Sequence, residues 1–167
     1  STFTCANLGA NKVTLTVEDV NGNSNTAEAF VTVVDYIVPN VRTKDITILL
    51  DQFGHASITP EMIDNGSTDN CVIKKMDLDI VNFRCGDEGE NVVVLTVTDV
   101  EGNTAIASAM VTVVNNYQDS NNDGIKDNCD SDDDKDSITD NLDNCHTQFN
   151  PDQADNDQDG MGDICDD

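Results

Sequence analysis

The sequence predicts an all-β fold: one partial and one complete small antiparallel sandwich, followed by an irregular segment with little secondary structure. Three observations carry this reading. An internal repeat runs without a gap at an offset of 80 residues, and both copies alternate apolar and polar residues with a period of two. The last 51 residues hold 17 acidic side chains, all Asp, against 2 basic ones, with few apolar groups to bury.

Residues 3–34 align with 83–114, pairing Phe3 with Phe83, Cys5 with Cys85, Gly9 with Gly89, Asn11 with Asn91, Asp19 with Asp99, Gly22 with Gly102 and Asn23 with Asn103. Both copies close on V-T-V-V. The first copy begins only at the position equivalent to residue 81, so residues 1–36 are expected to form the C-terminal part of one module and 37–116 a complete second one. Pro39 falls where one copy passes into the next and suits a short linker, because it cannot continue a strand ladder.

Within the second copy the elements follow in order. Ile46, Ile48 and Leu50 alternate with polar neighbours, as do Ala56 and Ile58, and Met76, Leu78 and Ile80 alternate with Asp77 and Asp79. Val93, Leu95 and Val97 face away from Val94, Thr96 and Thr98. The turn D-V-E-G-N follows, then Ala107, Ala109, Val111 and Val113 against Ser108, Met110 and Thr112. Turn clusters such as I-D-N-G-S-T-D-N separate the runs. About seven strands in this length make a small antiparallel sandwich.

Charge and cysteine content narrow the function class. The chain carries 33 acidic and 8 basic residues, a net charge of -25, which repels phosphate backbones and anionic lipid surfaces. Nucleic acid is excluded as a partner, and so is direct membrane insertion, since no apolar stretch approaches the length of a spanning helix. Six cysteines without a C-x-x-C motif point to disulfides and an extracellular, oxidising setting. Cys71 and Cys85 close a short loop in the second module and are the expected pair there; the equivalent partner of Cys5 would lie before residue 1.

T-D-N-C at residues 68–71, C-G at 85–86, L-T-V-T-D-V-E-G-N-T at 95–104 and the terminal V-T-V-V together resemble hyalin-repeat modules. Similar modules recur in giant surface adhesins of gliding and biofilm-forming bacteria. The resemblance implies an immunoglobulin-like fold, with a spacer or adhesive role among neighbouring modules of a long chain.

The acidic segment, residues 117–167, repeats a twelve-residue arrangement three times. Asp119, Asn121 and Asp123 stand at positions 1, 3 and 5 of the first loop, Asp132, Asp134 and Asp136 in the second, and Asp155, Asp157 and Asp159 in the third. Oxygens at that spacing can converge on one hard cation. Position 6 is a sharp turn, held by Gly124, Ser137 and Gly160. Position 7, occupied by Ile125, Ile138 and Met161, offers a backbone carbonyl. Position 9, with Asp127, Asp140 and Asp163, can act through water, and position 12, with Asp130, Asp143 and Asp166, closes the shell. An all-oxygen set favours calcium over magnesium and over zinc. Ser137 departs from the Gly preference, and each closing Asp is shorter than the usual Glu.

No amphipathic helix fits between the loops. The runs C-D-S-D-D-D-K-D-S-I-T-D-N-L-D-N-C and N-P-D-Q-A-D-N-D-Q-D-G-M-G-D-I-C-D instead resemble thrombospondin type 3 repeats across residues 119–167. The resemblance implies a chain wrapped around several calcium ions, about three or more, and a Cys145–Cys165 disulfide. His146 stands where that family commonly has Pro. Cys129 is left over, with Cys145 an alternative partner. With so few apolar groups, metal must substitute for a core, and binding free energy becomes folding free energy. The expected affinity is in the range of extracellular modules, roughly 0.1–1 mM.

His55 and His146 have no nucleophile motif around them, and scattered carboxylates carry no information about hydrolysis. The chain is therefore expected to be non-catalytic. Two roles follow: a calcium-stiffened stalk of a secreted, cell-surface adhesin, or an adhesive module binding surface proteins or glycans. A third reading makes it an accessory region of a secreted enzyme.

Overall fold

The computed structural model describes residues 2–166. Its strands are β1 (Gly9–Glu18), β2 (Ser24–Val33), β3 (Ile46–Leu49), β4 (His55–Ser57), β5 (Ile73–Leu78), β6 (Asn82–Arg84), β7 (Gly89–Asp99) and β8 (Thr104–Val114). One short α-helix, α1 (Pro60–Ile63), interrupts them. The chain is thus all-β with almost no helix. Among the described residues, no helix is long and apolar enough to cross a membrane.

β1 pairs with β2, β4 pairs with β6, and β3, β8, β7 and β5 form a four-stranded sheet in that order. The chain divides into two compact units. One comprises Ser1–Lys44, Thr59–Asp79 and Val93–Ala109; the other comprises Asp45–Ile58, Ile80–Val92 and Met110–Asp167. The first buries Ile63, Val93, Leu95, Val97 and Ala109, and the second Ile48, Leu50, Ile58, Phe83, Val111 and Val113. Val93, Leu95, Val97, Ala109, Val111 and Val113 are residues the period-two pattern selects in β7 and β8, because successive strand side chains point to opposite faces. Each such Val or Leu contributes about 1.5–3 kcal/mol by leaving water.

The two hairpins of the repeat have the same local construction. Asp19 and Asn23 close β1–β2 through Asp19 N–H to Asn23 O at 2.9 Å, and Asp99 and Asn103 close β7–β8 at 3.0 Å. Each Asp also accepts from its Asn backbone N–H and side-chain amide, at 2.9 and 2.8 Å in the first copy and 2.8 and 2.7 Å in the second. Burial differs: Leu15 and Val17 are exposed, whereas Leu95 and Val97 are fully buried.

Two features depart from the sequence-based expectation. β3 pairs parallel with β8, Ile46 opposite Val111 and Leu49 opposite Val114, in a sheet expected to be antiparallel throughout. Asp45 Oδ1 accepts the Met110 N–H at 2.7 Å at one end of this ladder, and the Leu50 N–H donates to Val114 O at 3.0 Å at the other. Alternation fixes which face is buried, not the direction of the partner strand. The other feature is α1, too short for a helical period. Pro60 presets its first turn, and its buried residue is Ile63.

All six cysteines are paired, and two pairings correct the sequence reading. Cys71 does not bond to Cys85. Cys5 bonds to Cys71 with a Cα–Cα distance of 5.4 Å, and Cys85 to Cys129 at 5.7 Å. Cys5 therefore has its partner inside the chain, and Cys129 is not joined to Cys145. Proximity in sequence was a poor guide because closing a severalfold longer loop costs only about 1 kcal/mol more, which local geometry easily outweighs. That geometry is visible at Gly54. Its φ of +72° and bare Cα let Cys85 pack against it, and a Cβ there would collide with Cys85 Sγ and lie 3.2 Å from Cys129 Sγ. The third pair, Cys145–Cys165, joins the cysteines that the type 3 resemblance pairs.

Candidate metal centre

Beyond β8 the described residues form turns and bends, with no helix or strand, and the polar groups organise one another. Each predicted loop adopts the same backbone. Position 4 is left-handed in all three, with Asn122 at φ 58°, Lys135 at 64° and Gln158 at 62°. Position 6 is left-handed as well, with Gly124 and Gly160 at 97° and Ser137 at 80°. A residue without a Cβ adopts that conformation without strain; Ser137 does not.

The carboxylates hold these turns by accepting N–H groups. The position-1 Oδ2 of Asp119, Asp132 and Asp155 accepts the position-6 N–H at 3.1 Å in each loop. The position-5 Oδ1 of Asp123, Asp136 and Asp159 accepts from Ile125, Ile138 and Met161 at 3.0, 2.7 and 2.8 Å. At position 3, Asn121, Asp134 and Asp157 accept the position-5 N–H at 2.8, 3.0 and 3.4 Å. A carboxylate has about four lone-pair sites, so these bonds orient the oxygens without exhausting them.

The result is convergence. One oxygen each from Asp132, Asp134 and Asp136 lies within 4.8 Å of the others, and the same holds for Asp155, Asp157 and Asp159. Asp119, Asn121 and Asp123 share the backbone and hydrogen bonds, with an amide replacing one carboxylate. Position 12 comes to position 3 as well: Asn121 Nδ2 donates to Asp130 Oδ2 at 3.2 Å. In the other loops the effect is electrostatic. Burial first, and then the charges of Asp136, Asp143 and Asp132, hold the Asp134 carboxyl above its ordinary pKa, although the Asp136 N–H opposes this. The Asp159 N–H pulls Asp157 down, but the Asp159 charge, burial, Asp166 and Asp155 outweigh it and raise that carboxyl too. Like charges held this close favour a cation between them.

Position 9 bridges the base of each loop. Asp127, Asp140 and Asp163 each accept the position-2 N–H of their own loop at 2.8 Å, from Ser120, Asp133 and Asn156. Asp127 and Asp163 turn their second oxygen to the same residue's side chain, at 2.9 and 2.6 Å. Their N–H groups reach back to Gln118, Ser131 and Ala154 O at 2.9, 3.0 and 2.8 Å. Position 9 is thus a clasp across the loop base, a role that spacing alone does not reveal.

Two further groups went unread in the sequence. Lys135, at position 4 of the second loop, places its ammonium 3.2 Å from Asp123 Oδ2. With the Ile125 N–H first and Lys135 second, the Asp123 carboxyl lies below its usual range. Asp133 is buried, and its carboxyl is pushed up to about 6 by burial first and then by Asp140 and Asp127, against a smaller pull from His146 at 3.7 Å.

The fit to a hard cation rests on the orphans. Asp134 Oδ2 and Asp143 Oδ2 are sealed from water and accept no hydrogen bond. A buried, unpaired carboxylate oxygen costs free energy unless something positive meets it. All side-chain donors in the loops are oxygen, so the group that fits is calcium. Nearby, polar locks tie the second loop to the residues that follow it. The Asn144 N–H donates to Gln153 Oε1 at 2.9 Å, Gln153 Nε2 to Asp143 Oδ1 at 2.7 Å, and the Asn150 N–H to Asp136 Oδ2 at 3.0 Å.

Residues 118–153 match the family model of the thrombospondin type 3 repeat, a calcium-binding, extracellular type of module. The match takes in the first two loops and ends before the third, a minority of the chain. No curated protein matches the chain. The three disulfides fit a secreted protein.

Proposed function

We infer that this chain is a calcium-binding, non-catalytic stalk segment of a modular cell-surface adhesin, with immunoglobulin-like modules leading into a calcium-wrapped tail. The observation that carries the reading is the threefold recurrence of one loop: the same left-handed positions, the same N–H-oriented carboxylates and, in two loops, three carboxylates gathered within 4.8 Å. In the tail, Asp132, Asp134, Asp136 and Asp143 would hold one ion, Asp155, Asp157, Asp159 and Asp166 another, and Asp119, Asn121, Asp123 and Asp130 a third. The ion supplies positive charge where a hydrophobic core is lacking. The immunoglobulin-like reading draws support from the parallel pairing of β3 with the last strand, β8, beside otherwise antiparallel neighbours.

Calorimetric calcium titration of the chain, paired with circular dichroism with and without chelator, tests this. About three or more ions should bind at roughly 0.1–1 mM, with order lost on chelation. Binding of a single ion, or chelation without spectral change, would overturn it.

An adhesive role finds support in an open groove lined by Asp51, His55, Asn82, Arg84, Asp87 and Asn91. Ala56, Ile80 and Phe83 add apolar surface, so the lining offers both charges, amides and an apolar patch to a glycan or peptide.

A further inference from the structure

We propose that Asp35, Asp69 and Asp99 form a calcium site within the β-rich part of the chain, separate from the tail loops. The three are far apart in sequence. Asp35 follows β2, Asp69 lies in the turn before β5, and Asp99 ends β7. All belong to the same compact unit, and one carboxylate oxygen from each lies within 4.8 Å of the others. Asp99 is 0% exposed and Asp35 8%.

No side-chain cation answers them. The ion pairs among the described residues join Lys12 to Glu28, Lys75 to Asp77, Lys135 to Asp123 and His146 to Asp133. Asp69 is half-buried, and three carboxylates gathered this closely without a counter-charge repel one another, which a cation between them relieves.

An orphan oxygen is independent evidence for a ligand. Asp69 Oδ1 is sealed from solvent and accepts no hydrogen bond, while its Oδ2 takes the Cys71 N–H at 2.8 Å. The second tail loop bears the same mark at Asp134 and Asp143. The remaining carboxylates are oriented by donors that leave lone pairs over. Asp35 accepts from the Ile37 N–H and the Asn70 amide, both at 2.9 Å, and Asp99 accepts from Asn103 at 2.8 and 2.7 Å. Asp19, the equivalent of Asp99 in the first copy, makes the same hairpin bonds and belongs to no such cluster among the described residues. The hairpin alone therefore does not account for the convergence of Asp35 and Asp69. The set is all oxygen, and Cys71 beside it is committed to Cys5, so calcium fits and zinc does not.

Tyrosine-sensitised terbium luminescence tests the site, because Tyr36 adjoins Asp35 and Tyr117 stands two residues before Asp119. In a full-length Tyr117→Phe chain, emission should persist, disappear when Tyr36 is also changed to Phe, and be displaced by calcium. Adding Asp69→Asn should bring it to background. Tail loops that failed to bind would not alter this result. Melting supplies the control for folding. Without calcium, Asp69→Asn or Asp35→Asn should raise the midpoint by removing repulsion, and in calcium each should shrink the gain. Emission unchanged by Asp69→Asn, or both variants less stable without calcium, would overturn the proposal.

Discussion

Ser137 shows how one side chain can grade loops that share a backbone. Its φ of 80° is the left-handed conformation that Gly124 and Gly160 adopt at the same position, and a Cβ there costs roughly 1 kcal/mol or more. Ser137→Gly should therefore raise the stability of the calcium-loaded chain by about 0.5–1 kcal/mol after the added chain entropy of glycine is counted. Calcium-loaded thermal denaturation checks this; a lower midpoint would show that the Ser hydroxyl matters more than the strain. Here the sequence was legible, because a departure from Gly at a fixed loop position has one physical meaning. Gly54 was not, since nothing in its neighbours tells that two cysteines far along the chain will pack against it.

The loop is the next unit up, and its charge balance gives a pH dependence. Asp133 titrates at about 6 in the folded tail, against 3.8 for the free group, and Asp134 and Asp157 are raised as well. A carboxyl raised on folding adds stability that is whole below its unfolded pKa and is lost as pH climbs through the folded one. The calcium-free tail should thus lose order between about pH 4 and 6, and calcium should reverse the trend because protons displace it. Hydrogen exchange of tail amides across that range reads it; increasing protection with pH in calcium-free protein would refute it. At this scale the strands and the D-x-x-G-N hairpins were legible, since alternation and turn chemistry are local. The parallel β3–β8 pairing and the position-9 clasp were not, because each depends on a partner that spacing does not name.

At the scale of the whole molecule, the disulfides were the least legible feature. Cys5 and Cys85, equivalent in the repeat, each bond forward to a cysteine far along the chain, Cys71 and Cys129, instead of to a near neighbour in sequence. The cysteine count implied oxidised pairs, but connectivity depends on tertiary approach. The three bridges follow one another along the chain without overlapping and span 66, 44 and 20 residues. Under tension, the force path crosses each bridge and leaves the enclosed residues slack. Extension is then confined mainly to residues 72–84 and 130–144, and the latter stretch contains the whole of the second calcium loop, the one strained at Ser137. On the proposed reading, calcium is the clamp for that stretch, without a bridge to back it. Single-molecule pulling of the oxidised chain should release that short length at lower force once calcium is removed, and reduction should free the long lengths now held in reserve.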